Sequence, residues 1–132
     1  MILAIGHDVV DVPGFRAQLD EPGSTFADRV FTEPERATAK SRPSDAAVHL
    51  AARWAAKEAL IKAWSSARHG LSPVHPHADW AEIEVVSDRW RRPRLVLHGE
   101  VKEHVETLGV RRMHVSISHD GDIASAVVML EG

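Results

Sequence analysis

Between Asp45 and Ala67 the chain is alanine-rich and contains no glycine or proline. Alanine is the strongest helix former and the two helix breakers are absent, so this stretch commits to one long helix. Everything else the chain builds has to pack against it. A chain of 132 residues has room for one core, so positions 1–132 are expected to form a single domain.

The flanking segments are short and clearly punctuated. Ile2 to Ile5 reads as a buried strand stopped by Gly6. Pro13 can open a short helix over Gly14 to Leu19. Glu21-Pro22-Gly23-Ser24 breaks it, and Ser24 can cap a turn running through Val30. Thr32-Glu33-Pro34-Glu35 has the Thr-x-x-Glu spacing of a capping box, which predicts another helix start. Arg42-Pro43-Ser44-Asp45 offers the long helix its N-cap, and Gly70 to Asp79, with Pro73 and Pro76, predicts loop. Glu82–Ser87 and Arg94–His98 read as strands around a turn, and Glu100–Leu108 as a helix with Gly109 just past its end. Met113–Ser118 and Ile123–Leu130 flank a hairpin with Asp120-Gly121 at its tip. The mixed order predicts an α+β fold, a mainly antiparallel sheet packed on one long and several short helices.

Composition narrows the function. A net charge of −3 gives no global attraction to nucleic acid or to an anionic membrane, so any phosphate binding must be local. Arg89, Arg91, Arg92 and Arg94 cluster, but Trp90 is the single aromatic among them, too little for a nucleic-acid platform. Cysteine is absent, which excludes disulfides and thiolate chemistry. The apolar runs are too short to span a bilayer, and the acid at Asp8 comes too early for a secretory signal. A soluble, cytoplasmic protein without nucleic-acid or membrane partners is expected.

On the long helix, at about 100° per residue, Leu50 and Ile61 fall within about 40° of Trp54 and define an apolar stripe. Glu58 stands about 40° to the other side, Lys62 about 80° round, and Lys57 falls inside the arc from Trp64 to Leu50. A Glu–Lys pair four residues apart is worth only a few tenths of a kcal/mol on a solvated surface, and by itself carries no chemistry. Asp8, just after a strand, is by itself more often a turn former or a helix cap. Together Asp8 and Glu58 could supply the few hard oxygen ligands that Mg²⁺ takes from a protein, if the fold brings them together. The histidines His69, His75 and His77 fall in and beside the stretch holding Pro73 and Pro76, without the regular spacing of a zinc site. Neither common phosphate-binding glycine loop is present. Ser116, Ser118, His119 and Asp120 are neighbours on one strand and turn, which does not converge like a hydrolase triad. Trp54, Trp64 and Trp80 are expected in the core.

Four segments, in order, resemble the small bacterial 4′-phosphopantetheinyl transferases, the holo-[acyl-carrier-protein] synthases. They are Ile5-Gly6-His7-Asp8, Phe31-Thr32 with Glu35, the stretch A-A-R-W-A-A-K-E-A-L-I-K-A from Ala51 to Ala63, and H-V-S-I-S-H from His114 to His119. The third is the most diagnostic. The resemblance implies transfer of phosphopantetheine from coenzyme A to a serine of an apo acyl carrier protein, leaving adenosine 3′,5′-bisphosphate, in support of fatty acid biosynthesis. It implies Asp8 and Glu58 as Mg²⁺ ligands on the coenzyme A pyrophosphate and Lys62 as the neutraliser of phosphate charge, these three forming the catalytic group. Arg53 and Lys57 would lie along the phosphates and ribose. The implied assembly is a homotrimer, with Pro93, Ser118 and His119 reaching the nucleotide from a neighbouring chain. The alternative within the same fold is a module that binds coenzyme A or carrier protein without turnover. Arg91-Arg92-Pro93 stands where relatives usually carry Gly-Lys-Pro, and the segment after Asp8 carries Asp11, Asp20 and Glu21 beside Arg16 where relatives are more basic.

Overall fold

A computed structural model describes residues 1–42, 46–73 and 79–132 of the chain. The elements run β1 (Ile2–Asp11), α1 (Val12–Leu19), α2 (Phe26–Val30), α3 (Glu33–Lys40), α4 (Ala46–Ala67), β2 (Ile83–Ser87), β3 (Pro93–Leu97), α5 (Gly99–Thr107), β4 (Arg112–Asp120) and β5 (Ile123–Glu131), with one 3₁₀ turn at Trp80–Glu82. Strands β1, β5 and β4 form one antiparallel sheet with β5 in the middle, and β2 pairs β3 in a separate antiparallel hairpin. The expected α+β architecture is what the chain adopts. Asp45, expected to cap α4, lies outside the described residues, as do His75 and His77.

Strand β1 does not stop at Gly6. It continues to Asp11, and alternate residues Ala4, Gly6, Asp8 and Val10 face inward. Gly6 is required by packing rather than by a turn. A Cβ built there would lie 1.9 Å from the Ala59 carbonyl oxygen and 2.6 Å from the Ala63 nitrogen of α4. The missing side chain lets strand and helix backbones touch, and the alanines of α4 serve the same end.

That contact also corrects the expected helix face. Trp54 and Ile61 are only half-buried, while Ala51, Ala55, Ala59, Leu60 and Ala63 are fully covered. Small side chains define the buried side because the sheet approaches α4 too closely for large ones. The large apolar residues gather at its flank. Phe15, Phe26 and Phe31 meet edge to face, Trp54 packs 5.3 Å from Phe26, and Trp80 packs 4.7 Å from Trp54.

Local capping signals translate directly. Thr32 and Glu35 form both halves of the capping box at the start of α3. Ser24 accepts from the Phe26 nitrogen at 3.1 Å just ahead of α2. At the β4–β5 hairpin the two residues beyond the last pair are Gly121 and Asp122, one position later than expected, with Gly121 at φ +54°.

Candidate functional site

Asp8 points inward from β1 beside α4, in register with Ala126 of β5. Its carboxylate is buried, 5 % exposed. Lys62 Nζ donates to Oδ1 at 2.8 Å, from a side chain that is itself 58 % exposed. The other oxygen, Oδ2, is buried without a hydrogen-bond partner. The group beside it is the Glu58 carboxyl, which when protonated can donate to Asp8 and when ionised leaves two carboxylates facing one another.

Glu58 supplies the second carboxylate. Burial pushes it up to about 8, a hydrogen bond to Asp8 and that carboxylate's charge add to the rise, and Lys62 partly opposes it. The hydrogen bond to Asp8 in turn raises the Lys62 ammonium, with Glu58 adding a little. Asp8, Glu58 and Lys62, from the first strand and one turn of the long helix, therefore form a single cluster.

Lys57 does not join them. Its side chain is fully buried on another side of α4, where Nζ donates to Glu35 Oε1 at 2.8 Å, to the Trp80 carbonyl at 3.1 Å and to the Ile83 carbonyl. An ammonium has three protons to donate, and all three are engaged. Glu35 is satisfied in turn by the Thr32 and Val85 nitrogens. Burial lowers the Lys57 pKa and the Glu35 carboxylate counters it. Expected along the phosphates and ribose, Lys57 instead ties α4 to α3 and β2.

Arg53, Pro93 and His119 meet around a cavity of about 610 Å³ whose wall also includes Arg42, His49 and Arg91. Arg53 is anchored by a hydrogen bond from Nη2 to Ser87 Oγ at 3.0 Å. Burial, with Arg42 nearby, lowers its pKa to about 10. His49 is held neutral, its pKa lowered to about 4 by burial first and then by Arg53 and Arg42. Ser118 is not part of this wall. Strand alternation turns His119 and Ile117 toward the cavity and Ser118 to the exposed outer face of the sheet, opposite Ser125. Sequence reasoning missed Arg42, His49 and Arg91. The spacing His49-x-x-x-Arg53 was the available signal, since residues four apart share a helix face.

Arg53 and Glu58 are five positions apart, which puts them about 140° apart around α4. Within one chain the cationic cavity and the carboxylate cluster thus open on different sides of the same helix.

The chain as a whole is similar to known proteins. Residues 4–127 match the 4′-phosphopantetheinyl transferase superfamily. A holo-[acyl-carrier-protein] synthase of Mycobacterium ulcerans is 49% identical over 130 residues, covering 98% of this chain and 97% of its own. The corresponding synthase of Mycobacterium tuberculosis H37Rv is 48% identical over 130 residues, with the same coverage of both chains. Among solved structures, the Chronobacterium ammoniagenes ACPS–CoA complex superposes with a TM-score of 0.90 at 47% identity, over 96% of this chain and 95% of that one. Matched along nearly its whole length by sequence and by backbone, the chain belongs to the 4′-phosphopantetheinyl transferase superfamily.

Proposed function

We propose that this protein is a holo-[acyl-carrier-protein] synthase, moving 4′-phosphopantetheine from coenzyme A to a serine of an apo acyl carrier protein and releasing adenosine 3′,5′-bisphosphate. The observation that supports this reading most directly is the meeting of two carboxyls and an ammonium, Asp8 from β1 with Glu58 and Lys62 from α4.

The donor set fits Mg²⁺. Two carboxylates without nitrogen or sulfur ligands suit a hard cation that completes its shell with water and substrate phosphate. When bound, Mg²⁺ would neutralise and orient the coenzyme A pyrophosphate. Asp8 and Glu58 would hold it. Lys62, tethered at Asp8 but largely exposed, is free to turn its ammonium onto phosphate oxygens. Phosphoryl transfer consists mostly of such positioning and charge neutralisation, with attacking and leaving oxygens in line. The serine proton leaves to Glu58 directly or through one water held by it. The Arg53, Arg42 and Arg91 guanidiniums, with Pro93 and His119, supply a nucleotide-sized cationic cavity for the adenosine bisphosphate end.

The different outlook of these two half-sites supports sharing between adjoining chains, one chain's cavity facing its neighbour's carboxylates, and the resemblance to the holo-[acyl-carrier-protein] synthases makes that assembly a homotrimer. Ser118 then meets that neighbour, along an outer sheet face that leaves Ile5, Val9 and Val127 exposed. The holo carrier serves fatty acid biosynthesis in the cytoplasm. No helix among the described residues is long and apolar enough to cross a membrane.

Incubation with coenzyme A, Mg²⁺ and an apo acyl carrier protein tests the reading by intact mass. A gain of one phosphopantetheine on the carrier is expected, and Glu58→Gln should slow it about 10²- to 10⁴-fold. Coenzyme A binding without any mass gain would identify a binding module instead.

A further inference from the structure

We propose that the β2–β3 hairpin tip, built on Trp90 and its flanking arginines, is a docking point for an acidic surface of the acyl carrier protein. The inference rests on the transferase reading above, which requires a second macromolecule to present its serine.

Trp90 is 64 % exposed at the end of the hairpin. The Arg89 and Arg92 guanidinium carbons lie 4.7 Å and 5.0 Å from its ring centroid. A large exposed aromatic with guanidiniums stacked on it has no role in this chain's core. Trp and Arg are the side chains that most often carry the binding energy of protein interfaces. Arg92 is paired with Asp88 at 2.6 Å, and the Arg89 guanidinium stacked on the ring is the one positioned to meet a partner's carboxylate.

The tip is held in shape before any partner arrives. Asp88 accepts from the Trp90 nitrogen at 2.9 Å, from the Arg92 nitrogen at 3.0 Å and from Arg92 Nε at 2.6 Å. Arg91 takes a left-handed backbone at φ +66°, a conformation costly to a residue with a side chain and kept here by that Asp88 bracket. Pre-ordering of this kind lowers the entropy lost on binding.

Charge selects the partner. From Asp88 to Arg94 four arginines stand against one aspartate, on a chain whose net charge is −3. The tip is thus a local cationic point on an acidic protein, complementary to an acidic protein surface and poorly matched to a long polyanion. The first helix, by contrast, offers Arg16 among Asp11, Asp20 and Glu21. Location agrees with the role. Arg91 lines the cationic cavity, and Ser87, at the end of β2 below the tip, is hydrogen-bonded to Arg53. A carrier held at Trp90 is held beside the donor's binding cavity.

Trp90→Ala and Arg89→Glu test this, since both side chains stand outside the cavity and the core. Titration of an apo acyl carrier protein, without coenzyme A, should give a dissociation constant at least about tenfold weaker for either variant. In turnover, KM for carrier should rise to match while KM for coenzyme A and kcat stay within about twofold. Added salt should weaken wild-type binding more than Arg89→Glu binding. Unchanged carrier affinity in both variants overturns the proposal. So does a rise in KM for coenzyme A alone, which would make Trp90 a nucleotide contact. So does tighter wild-type binding to RNA than to carrier. Carrier binding is read without turnover, so a protein that docks at Trp90 but transfers nothing would refute the enzyme and leave the docking point standing.

Discussion

Lys62 Nζ and Asp8 Oδ1 are 2.8 Å apart although 54 positions separate them in the chain, and their contact leaves Asp8 Oδ2 buried and unpaired. Strand β1 reaches α4 closely enough for this because Gly6, two residues earlier on the same face, has no side chain to hold the backbones apart. The chemistry of the cluster follows from that packing.

The charge state of Glu58 should be visible in stability. Its pKa in the fold is about 8, against an ordinary value of 4.5. Between these values the folded chain holds a proton that the unfolded chain has lost, so stability falls as pH rises through the window and levels off above it. Mg²⁺ favours the ionised carboxylate, so its binding near pH 7 should release protons and flatten the slope. Thermal melts from about pH 5 to about pH 9, with and without Mg²⁺ and with Glu58→Gln as reference, check this. A wild-type slope identical to that of Glu58→Gln would contradict it.

Lys57 and Glu35 should behave as a structural pair. Lys57→Met leaves the Glu35 carboxylate buried without its counter-charge and is expected to cost about 3–5 kcal/mol. Adding Glu35→Gln should recover a good part of the loss, because neither partner then carries a stranded charge. Urea denaturation of the two single variants and the double variant gives the coupling. Full stability in Lys57→Met would show that the lysine is not the brace described.

Sharing of sites between chains has its own signature. Arg53→Ala and Glu58→Gln damage different half-sites, so each variant alone should be nearly inactive. If the two halves come from adjoining chains, remixed subunits in equal amounts should recover about a quarter of wild-type turnover, the fraction of interfaces at which both halves are intact. Recovery no greater than the sum of the separate variants would put the whole site in one chain.

What could be read from sequence was what depends on near neighbours. The Thr32–Glu35 capping box, the long alanine-rich helix and the hairpin near Gly121 all rest on contacts within a few residues. Gly6 was read as a strand stop because its reason for being glycine, the backbone of Ala59 and Ala63, lies more than fifty positions away. The apolar stripe through Trp54 and Ile61 was misjudged for the same reason, since hydrophobicity does not reveal how closely a sheet will approach. For Lys57 the phosphate role comes from the family resemblance of its motif, not from its place on the helix. Adjacent helix positions point about 100° apart, and that angle turned it toward Glu35. Arg42 and Arg91 were missed at the cavity because only the tertiary fold brings them to His49 and Arg53.

In the proposed site Asp8 and Glu58 jointly hold a divalent cation against the coenzyme A diphosphate. Electron paramagnetic resonance titration with Mn²⁺ in place of Mg²⁺, in the presence of coenzyme A, addresses it without reference to turnover. One bound Mn²⁺ per chain is expected in the wild type, lost or weakened at least about tenfold in Asp8→Asn and in Glu58→Gln, with both variants still folded. Undiminished Mn²⁺ binding in either folded variant would contradict the account.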